Sequence, residues 1–388
     1  MHSEEILARL VGYDTTSSRS NIELIDFARN LLDDHGIASQ LVYHDDHSRA
    51  NLYATIGPDD IGGVMLSGHT DVVPTTGQNW SSDPYQLKIE NDLLYGRGTC
   101  DMKGFIACVL AALPQLSSGH LQTPIHLAFS YDEEIGCVGA RKLVEAMAGF
   151  EVKPSVGLIG EPTSMSMVLG HKGKISFRVR VRGQSCHSAY INSGVNAVEY
   201  AAELIVFIRA MNARMLRENQ VDDSYSVPHS TFHVGSINGG TALNIVPKEC
   251  EFEFEIRSLP QQNLEQLAHE IKHYAFDTLM PEMIARYPDS GIEFEETANY
   301  PGLHTDPTSK VIDYTRSINP VDHIGGNVSF GTEAGLFDGI GINSLVCGPG
   351  SIEQAHKPDE FISREQLRRC DQMLENLVHR CRSLSEFN

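Results

Sequence analysis

The chain has 388 residues, 41% hydrophobic and 21% charged, with 30 Lys and Arg against 51 Asp and Glu for a formal net charge of −21. This composition excludes a disordered or fibrous protein, and the excess of acid repels nucleic acid and anionic lipid, leaving a neutral or cationic small molecule as the substrate class easiest to accommodate. The length exceeds one average core and predicts two domains of roughly 100 to 250 residues.

In chain order, "MHSEEILARLVGYDTTSS" reads as an amphipathic helix belonging to the fold; it has no basic segment followed by an apolar one, so it is unlike a secretory signal. A helix follows around 21 to 35, then the strand "GGVMLSGH", the helix "GFIACVLAALPQL", the strand "PIHLAFSYD", the helix "GARKLVEAMAG" and the strand "SVGLIGEP". Strands alternating with helices predict an α/β domain whose mixed sheet is flanked by helices. Near residue 172 the pattern changes. "KISFRVRVRG" alternates apolar and charged residues with period two, as a strand with one wet face does. The helix "GVNAVEYAAELIVFIRAMN", the strands "HSTFHVGSI" and "ECEFEFEIRS", the helix "NLEQLAHEIKHYAFDTL" and the strand "GIEFEET" complete a βαββαβ order. That is the order of a ferredoxin-like α+β sandwich. Residues 173–297 are therefore expected to form an inserted domain, interrupting a first domain made of 1–172 and 298–388. The chain returns to that first domain with "INSLVCGPGS" as a late strand and "SREQLRRCDQMLENLVHRC" as a closing helix.

Eight cysteines form no C-x-x-C pair, which predicts reduced thiols and a cytoplasmic location. No stretch of about 18 apolar residues marks a membrane span.

Five ligand-bearing stretches lie beside the apolar strands of the first domain. They are "SGHTDVVP" with His69 and Asp71, "GRGTCDMKG" with Asp101, "YDEEIG" with Glu133 and Glu134, "IGEPTS" with Glu161, and "IEQAHKPDE" with His356. Imidazole and carboxylate together suit Zn²⁺ and related ions better than Mg²⁺ or Ca²⁺. Two histidines and three carboxylates suffice for two metal sites if one carboxylate bridges. Taken singly, each stretch also fits a structural histidine, a helix cap or acids ending a strand in solvent.

Together, in this order and spacing, the five stretches resemble those of the di-zinc deacylase and exopeptidase superfamily, and the resemblance runs essentially from end to end. It implies a metal-binding α/β domain interrupted by a ferredoxin-like domain, in agreement with the layout above. It further implies two Zn²⁺, with Co²⁺ able to substitute. His69 and Glu161 would hold one ion, Glu134 and His356 the other, and Asp101 would bridge them, with a cis peptide to Met102. Asp71 would orient His69 through its other ring nitrogen. Glu133 would be the general base acting on a metal-bridging water. Cys100 is then only a neighbour of the bridge.

The resemblance also extends to the inserted domain. His187 in "GQSCHSAYINSGVNAV" would reach the site of a second subunit and stabilise the oxyanion, which implies a homodimer built through this domain. Asn244 in "GGTALNIVP" and Arg257 in "EFEIRSLP" would bind a substrate α-carboxylate. The residues alone equally fit a surface histidine in a turn and an ordinary strand-end arginine. A Cys186–His187 thiol and base pair is disfavoured because adjacent strand residues point to opposite faces.

Within the superfamily, "TALNIVP", "FGTEAGLF" and "CGPGSIEQAHKPDEFI" look most like the branch that deacetylates N2-acetyl-L-ornithine in arginine biosynthesis. Glu333 in "FGTEAG" is then expected either to pair with the substrate's δ-ammonium or to serve as a structural acid. Other N-acyl-amino-acid deacylases, succinyl-diaminopimelate desuccinylase and dipeptidases of the same superfamily are the neighbouring expectations, and a non-catalytic binding relative is the expectation from a different class.

Overall fold

A computed structural model describes residues 1–218 and 221–387. They divide into two compact units, one of residues 1–170, 303–327 and 332–388, the other of residues 171–302 and 328–331. The second unit thus extends past 173 and 297 at both ends. It also takes in 328–331, where Gly331 sits against the Tyr300 ring so closely that a Cβ would lie 2.1 Å from it.

In the first unit six strands form one sheet: β1 (Ser39–Tyr43), β2 (Ala50–Ile56), β3 (Val64–His69), β4 (Ile125–Ser130), β5 (Val156–Pro162) and, far along the chain, Asn343–Gly348. Their spatial order is β1, β2, β4, β3, β5, then Asn343–Gly348. The last four run parallel and the first two antiparallel to their neighbours, so the sheet is mixed, as expected. Every residue of β3, β4 and β5 is buried, which is why they read as continuous apolar runs. The pair β1 and β2 carries no comparable signal: β1 is a half-exposed edge strand of five residues, and neither strand is legible from periodicity.

The helix expected over 104–116 divides at Ala112 into Lys103–Ala111 and Leu113–Ser117. Pro114 opens the second piece, where its missing N–H is tolerated. The first piece is buried almost throughout and packs on β3 and β5. A Cβ on Gly160 would lie 2.0 Å from the Phe105 ring, so only glycine lets this helix approach the residue preceding Glu161.

In the second unit the strands are β6 (Gly173–Arg182), β7 (Thr231–Gly239), β8 (Glu249–Ser258) and β9 (Gly291–Tyr300), in the order β7, β8, β6, β9, all neighbours antiparallel. With helices Ala197–Arg217 and Leu264–Tyr274 this is the ferredoxin-like arrangement. Asn196 and Asn263 cap the two helices by accepting their first free amides. Their apolar faces pack with Ile175, Phe177, Val179, Phe252 and Phe254. The alternate residues make a charge ladder, with Arg180 2.9 Å from both Glu251 and Glu295. Period-two alternation in "KISFRVRVRG" thus corresponds to one apolar face and one ionic face. Among the described residues no helix is long and apolar enough to cross a membrane, and all eight cysteines are free thiols.

Candidate metal centre

Because β3, β4 and β5 are parallel neighbours, their C-terminal ends lie side by side, the edge at which open α/β sheets build their sites. His69 is the last residue of β3, Glu161 lies at the end of β5, and Glu133 and Glu134 follow β4. Asp101 precedes the buried helix, joined to Met102 by a cis peptide, and His356 comes from the loop after Asn343–Gly348. The site therefore draws on four parallel strands and one helix start within the first unit.

Asp101 is the centre of the cluster. Its Oδ1 is 2.9 Å from His69 Nε2, and its Oδ2 is 3.4 Å from His356 Nε2. His69 Nε2 lies 3.6 Å from Glu161 Oε1, and His356 Nε2 lies 3.0 Å from Glu134 Oε2. One aspartate thus presents one oxygen to each of two His/Glu pairs. Ligand atoms of His69, Asp101 and Glu134 lie within 4.8 Å of one another, as do those of His69, Glu133 and Glu161. Distance alone therefore does not separate Glu133 from the ligands.

Two adjacent glutamates on an extended strand would diverge. The chain avoids this by leaving the strand at Asp132, whose φ is +52°. Gly136, at φ +117°, and Cys137, at +54°, complete the bend, and their amides donate to the Glu133 carbonyl at 2.9 Å. Asp132 in turn accepts the Ser18 amide at 2.7 Å and pairs with the buried Arg49. Asp71 then draws the two glutamates together: its Oδ1 accepts the Glu133 amide at 3.0 Å and its Oδ2 the Glu134 amide at 3.3 Å, together with the Ser17 hydroxyl at 2.7 Å. The nearer acceptor for His69 Nδ1 is the Asp71 backbone carbonyl, at 2.9 Å, with the carboxylate at 3.5 Å. Asp71 thus orients His69 with its main chain and the glutamate bend with its side chain.

The cluster concentrates acid where water is scarce. Burial first, and then neighbouring carboxylates, push Glu133 up to about 8; burial and Asp101 push Glu134 up to about 7. Glu161 is raised for the same reasons. Burial alone would depress His69, but hydrogen bonds to Asp101 and Asp71 hold it well above 6.5. Bonds to Asp101 and Glu134 lift His356 to about 10. Without a cation the centre therefore holds extra protons at neutral pH: the two imidazoles are charged, and Glu133 is protonated. Two imidazoles and a set of converging carboxylates are the donors that borderline divalent cations prefer, so the residues fit a divalent metal centre.

The remaining expected residues lie elsewhere. Glu333 belongs to the first unit but is 0% exposed, and its two oxygens accept the hydroxyls of Ser67 at 2.5 Å and Ser130 at 2.6 Å. Through these two bonds Glu333 ties β3 to β4. His187 is exposed in the second unit, its Nδ1 accepting the Ala189 amide at 3.0 Å, and Asn244 is beside it, its carbonyl accepting the Ser188 amide at 3.0 Å. Arg257 is near the far end of β8, 2.8 Å from Glu255. At about 3.4 Å per residue, that end is roughly 30 Å from the end of β8 nearest His187 and Asn244.

Sequence reasoning missed Ser17, Arg49 and Asp132, and also the buried pair Arg97 and Glu360, 2.7 Å apart, of which Glu360 accepts the Asp101 amide at 3.0 Å. The available signal was a charged residue inside an otherwise apolar or glycine-rich motif, such as Arg97 in "YGRGTC".

A sequence model of peptidase family M20/M25/M40 matches residues 65–380. An acetylornithine deacetylase from Myxococcus xanthus is 34% identical over 381 residues, covering 97% of this chain and 96% of the relative. One from Proteus mirabilis is 35% identical over 353 residues, covering 90% and 87%. Among solved structures, an M20 metallo-carboxypeptidase from Sulfolobus solfataricus superposes with a TM-score of 0.78 at 17% identity, covering 99% of this chain and all of that one. Aminopeptidase PepT from Bacillus cereus gives 0.72 at 20% identity, with 98% of each chain covered. The ligand cluster and the near full-length matches agree: the chain belongs to peptidase family M20/M25/M40 and is a hydrolase of amide bonds.

Proposed function

We propose that the chain deacetylates N2-acetyl-L-ornithine to L-ornithine and acetate, as a step of arginine biosynthesis in the cytoplasm, using two Zn²⁺ that Co²⁺ can replace. The observation that carries the hydrolytic reading is Asp101, with one oxygen toward His69 and Glu161 and the other toward His356 and Glu134. The choice of substrate rests on relatives named acetylornithine deacetylase at 31 to 35% identity. Eight free thiols support a reducing compartment.

Two divalent cations bound here would polarise the scissile carbonyl and make water acidic at neutral pH. The chain's own residues do the rest. Glu133 takes a proton from the attacking water and returns it to the amine, which must be protonated to leave. Its backbone amide is held by Asp71, so the carboxyl stays at the cluster without being the fixed partner of either histidine.

His187, Asn244 and Arg257 complete the site from the inserted unit, His187 at the oxyanion and the other two at the α-carboxylate. The separation of roughly 30 Å along β8 supports a homodimer, because one copy of that unit cannot bring all three to one small substrate. A second support is the exposed apolar set Tyr190, Ile191, Ile237, Leu243 and Ile245 beside the edge strand β7. Sedimentation at assay concentration is expected to give a dimer; a monomer with full activity would remove this part of the reading.

The deciding experiment measures amine release from N-acetyl, N-succinyl and dipeptide substrates by the zinc- or cobalt-loaded protein. Acetylornithine should give the highest kcat/KM. A higher value for a dipeptide or N-succinyl substrate would move the chain to another branch of the family, and no hydrolysis with both metals bound would favour a binding protein.

A further inference from the structure

The structure assigns a positioning role to Glu360, Arg97 and Gln78: they form a clamp that sets the Asp101 loop and the His356 loop against each other, and Gln78 controls the His356 half alone. This rests on the two-metal reading above and extends it to residues that touch neither ion.

Glu360 and Arg97 are each 1% exposed. Glu360 Oε1 accepts the amides of Cys100 at 2.9 Å and Asp101 at 3.0 Å, and Oε2 accepts the Gly98 amide at 3.0 Å and Arg97 Nη1 at 2.7 Å. A carboxylate has about four acceptor sites, and all are used. Three serve the loop that delivers Asp101; the fourth holds Arg97. A buried ion pair of this kind is poor evidence for stability, since apolar residues would do as well or better. Its geometry indicates what it does instead.

Arg97 reaches from that loop to the other one. Its Nη1 donates to the Lys357 carbonyl at 3.3 Å, and its Nη2 donates to Gln78 Oε1. Gln78 Nε2 then donates to the His356 carbonyl at 3.0 Å. The arginine is fixed in plane by the Trp80 ring, 5.0 Å from its guanidinium carbon, and Trp80 Nε1 also donates to Gln78 Oε1 at 3.0 Å. His356 needs this restraint: its φ is +64°, unfavourable for a residue with a side chain, and its ring is half exposed. The ring meets Glu134 and Asp101 at its Nε2 edge but is otherwise half open to solvent, so its position depends on how its backbone is held.

The clamp can be cut at one point without burying an unpaired charge. Gln78→Glu keeps an oxygen for Arg97 and Trp80 but replaces the amide that donates to the His356 carbonyl with a second acceptor. Metal binding to the chelated parent and variant is followed by zinc titration against a chromogenic competitor, together with Tm of the metal-free proteins. The parent should bind two ions. The variant should bind one with parental affinity and the other roughly 10- to 100-fold more weakly, as loss of a ligand's supporting bond does, with metal-free Tm unchanged.

Parental affinity at both sites in the variant would overturn the clamp while leaving the two-metal reading intact, and so would an equal loss at both sites or a loss that tracks a fall in metal-free Tm. A parent that binds fewer than two ions would overturn the reading beneath it. Glu360→Gln, which loses an acceptor for the Asp101 loop, should instead weaken both ions; if it does not fold, the Gln78 variant alone decides.

Discussion

The Asp71 carboxylate accepts the backbone amide of Glu133 at 3.0 Å, and with its second oxygen that of Glu134 at 3.3 Å. An acid that sequence spacing connects with His69 is therefore also the anchor of the glutamate bend. Both glutamates are held by it through their backbone amides.

Asp71→Asn should therefore lower kcat by about 10- to 100-fold while leaving two ions bound, because the amide keeps one acceptor but turns a donor toward an N–H. Steady-state kinetics with metal analysis on the same preparation would check it. Loss of both ions would mean that Asp71 serves the ligands rather than the base.

The two glutamates should separate by mutation. Glu133→Ala is expected to keep both metals and lose about a hundredfold or more in kcat, whereas Glu134→Ala loses metal because its carboxylate is the partner of His356. Equal metal loss in the two variants would sink the division of labour.

Metal binding should release protons. In the metal-free chain Glu134 is pushed up to about 7 and Glu133 to about 8, while His356 is lifted to about 10. A cation must expel the protons these groups hold at neutral pH, so affinity rises with pH and falls in acid. Titration calorimetry in buffers of different ionisation enthalpy should report about one proton or more released per chain at pH 7. Heats independent of buffer would contradict this.

Away from the centre, His126 should make the fold sensitive to acid. Burial lowers its pKa from 6.5 to about 4, with Tyr53 and Thr55 at its Nδ1. As pH falls, the unfolded chain protonates this ring before the folded one does. Its contribution is complete above pH 6.5 and is lost as pH falls toward 4. In urea unfolding of metal-free protein, His126→Gln should lose about 2 kcal/mol less than the parent between pH 7 and 5. Identical losses would show that other groups dominate acid unfolding.

Gly160→Ala tests the contact beneath the centre. A Cβ 2.0 Å from the Phe105 ring must displace the buried helix or β5, at a cost of about 1 to 3 kcal/mol. Because Glu161 is the next residue, metal affinity should fall with stability. Parental stability by denaturant titration would mean the ring yields freely.

Much of this protein could be read directly from residue order. The buried runs of β3, β4 and β5 announce themselves because parallel interior strands are apolar on both faces, and period-two charge marks β6 and β8 because one face of their sheet is ionic. Ligand-type residues directly after such runs locate the metal stretches, since a strand's end has to leave the core. What residue order cannot express is contact between distant parts of the chain. Glu360 meets the amides of Gly98, Cys100 and Asp101, Glu333 meets Ser67 and Ser130, and Arg49 meets Asp132. Hydrogen bonds across such separations leave no local periodicity, and a buried acid looks in sequence like an exposed one. The left-handed turn at Asp132, a residue with no glycine's freedom, was likewise decided by the tertiary structure, through the bonds that Ser18 and Arg49 make to its side chain.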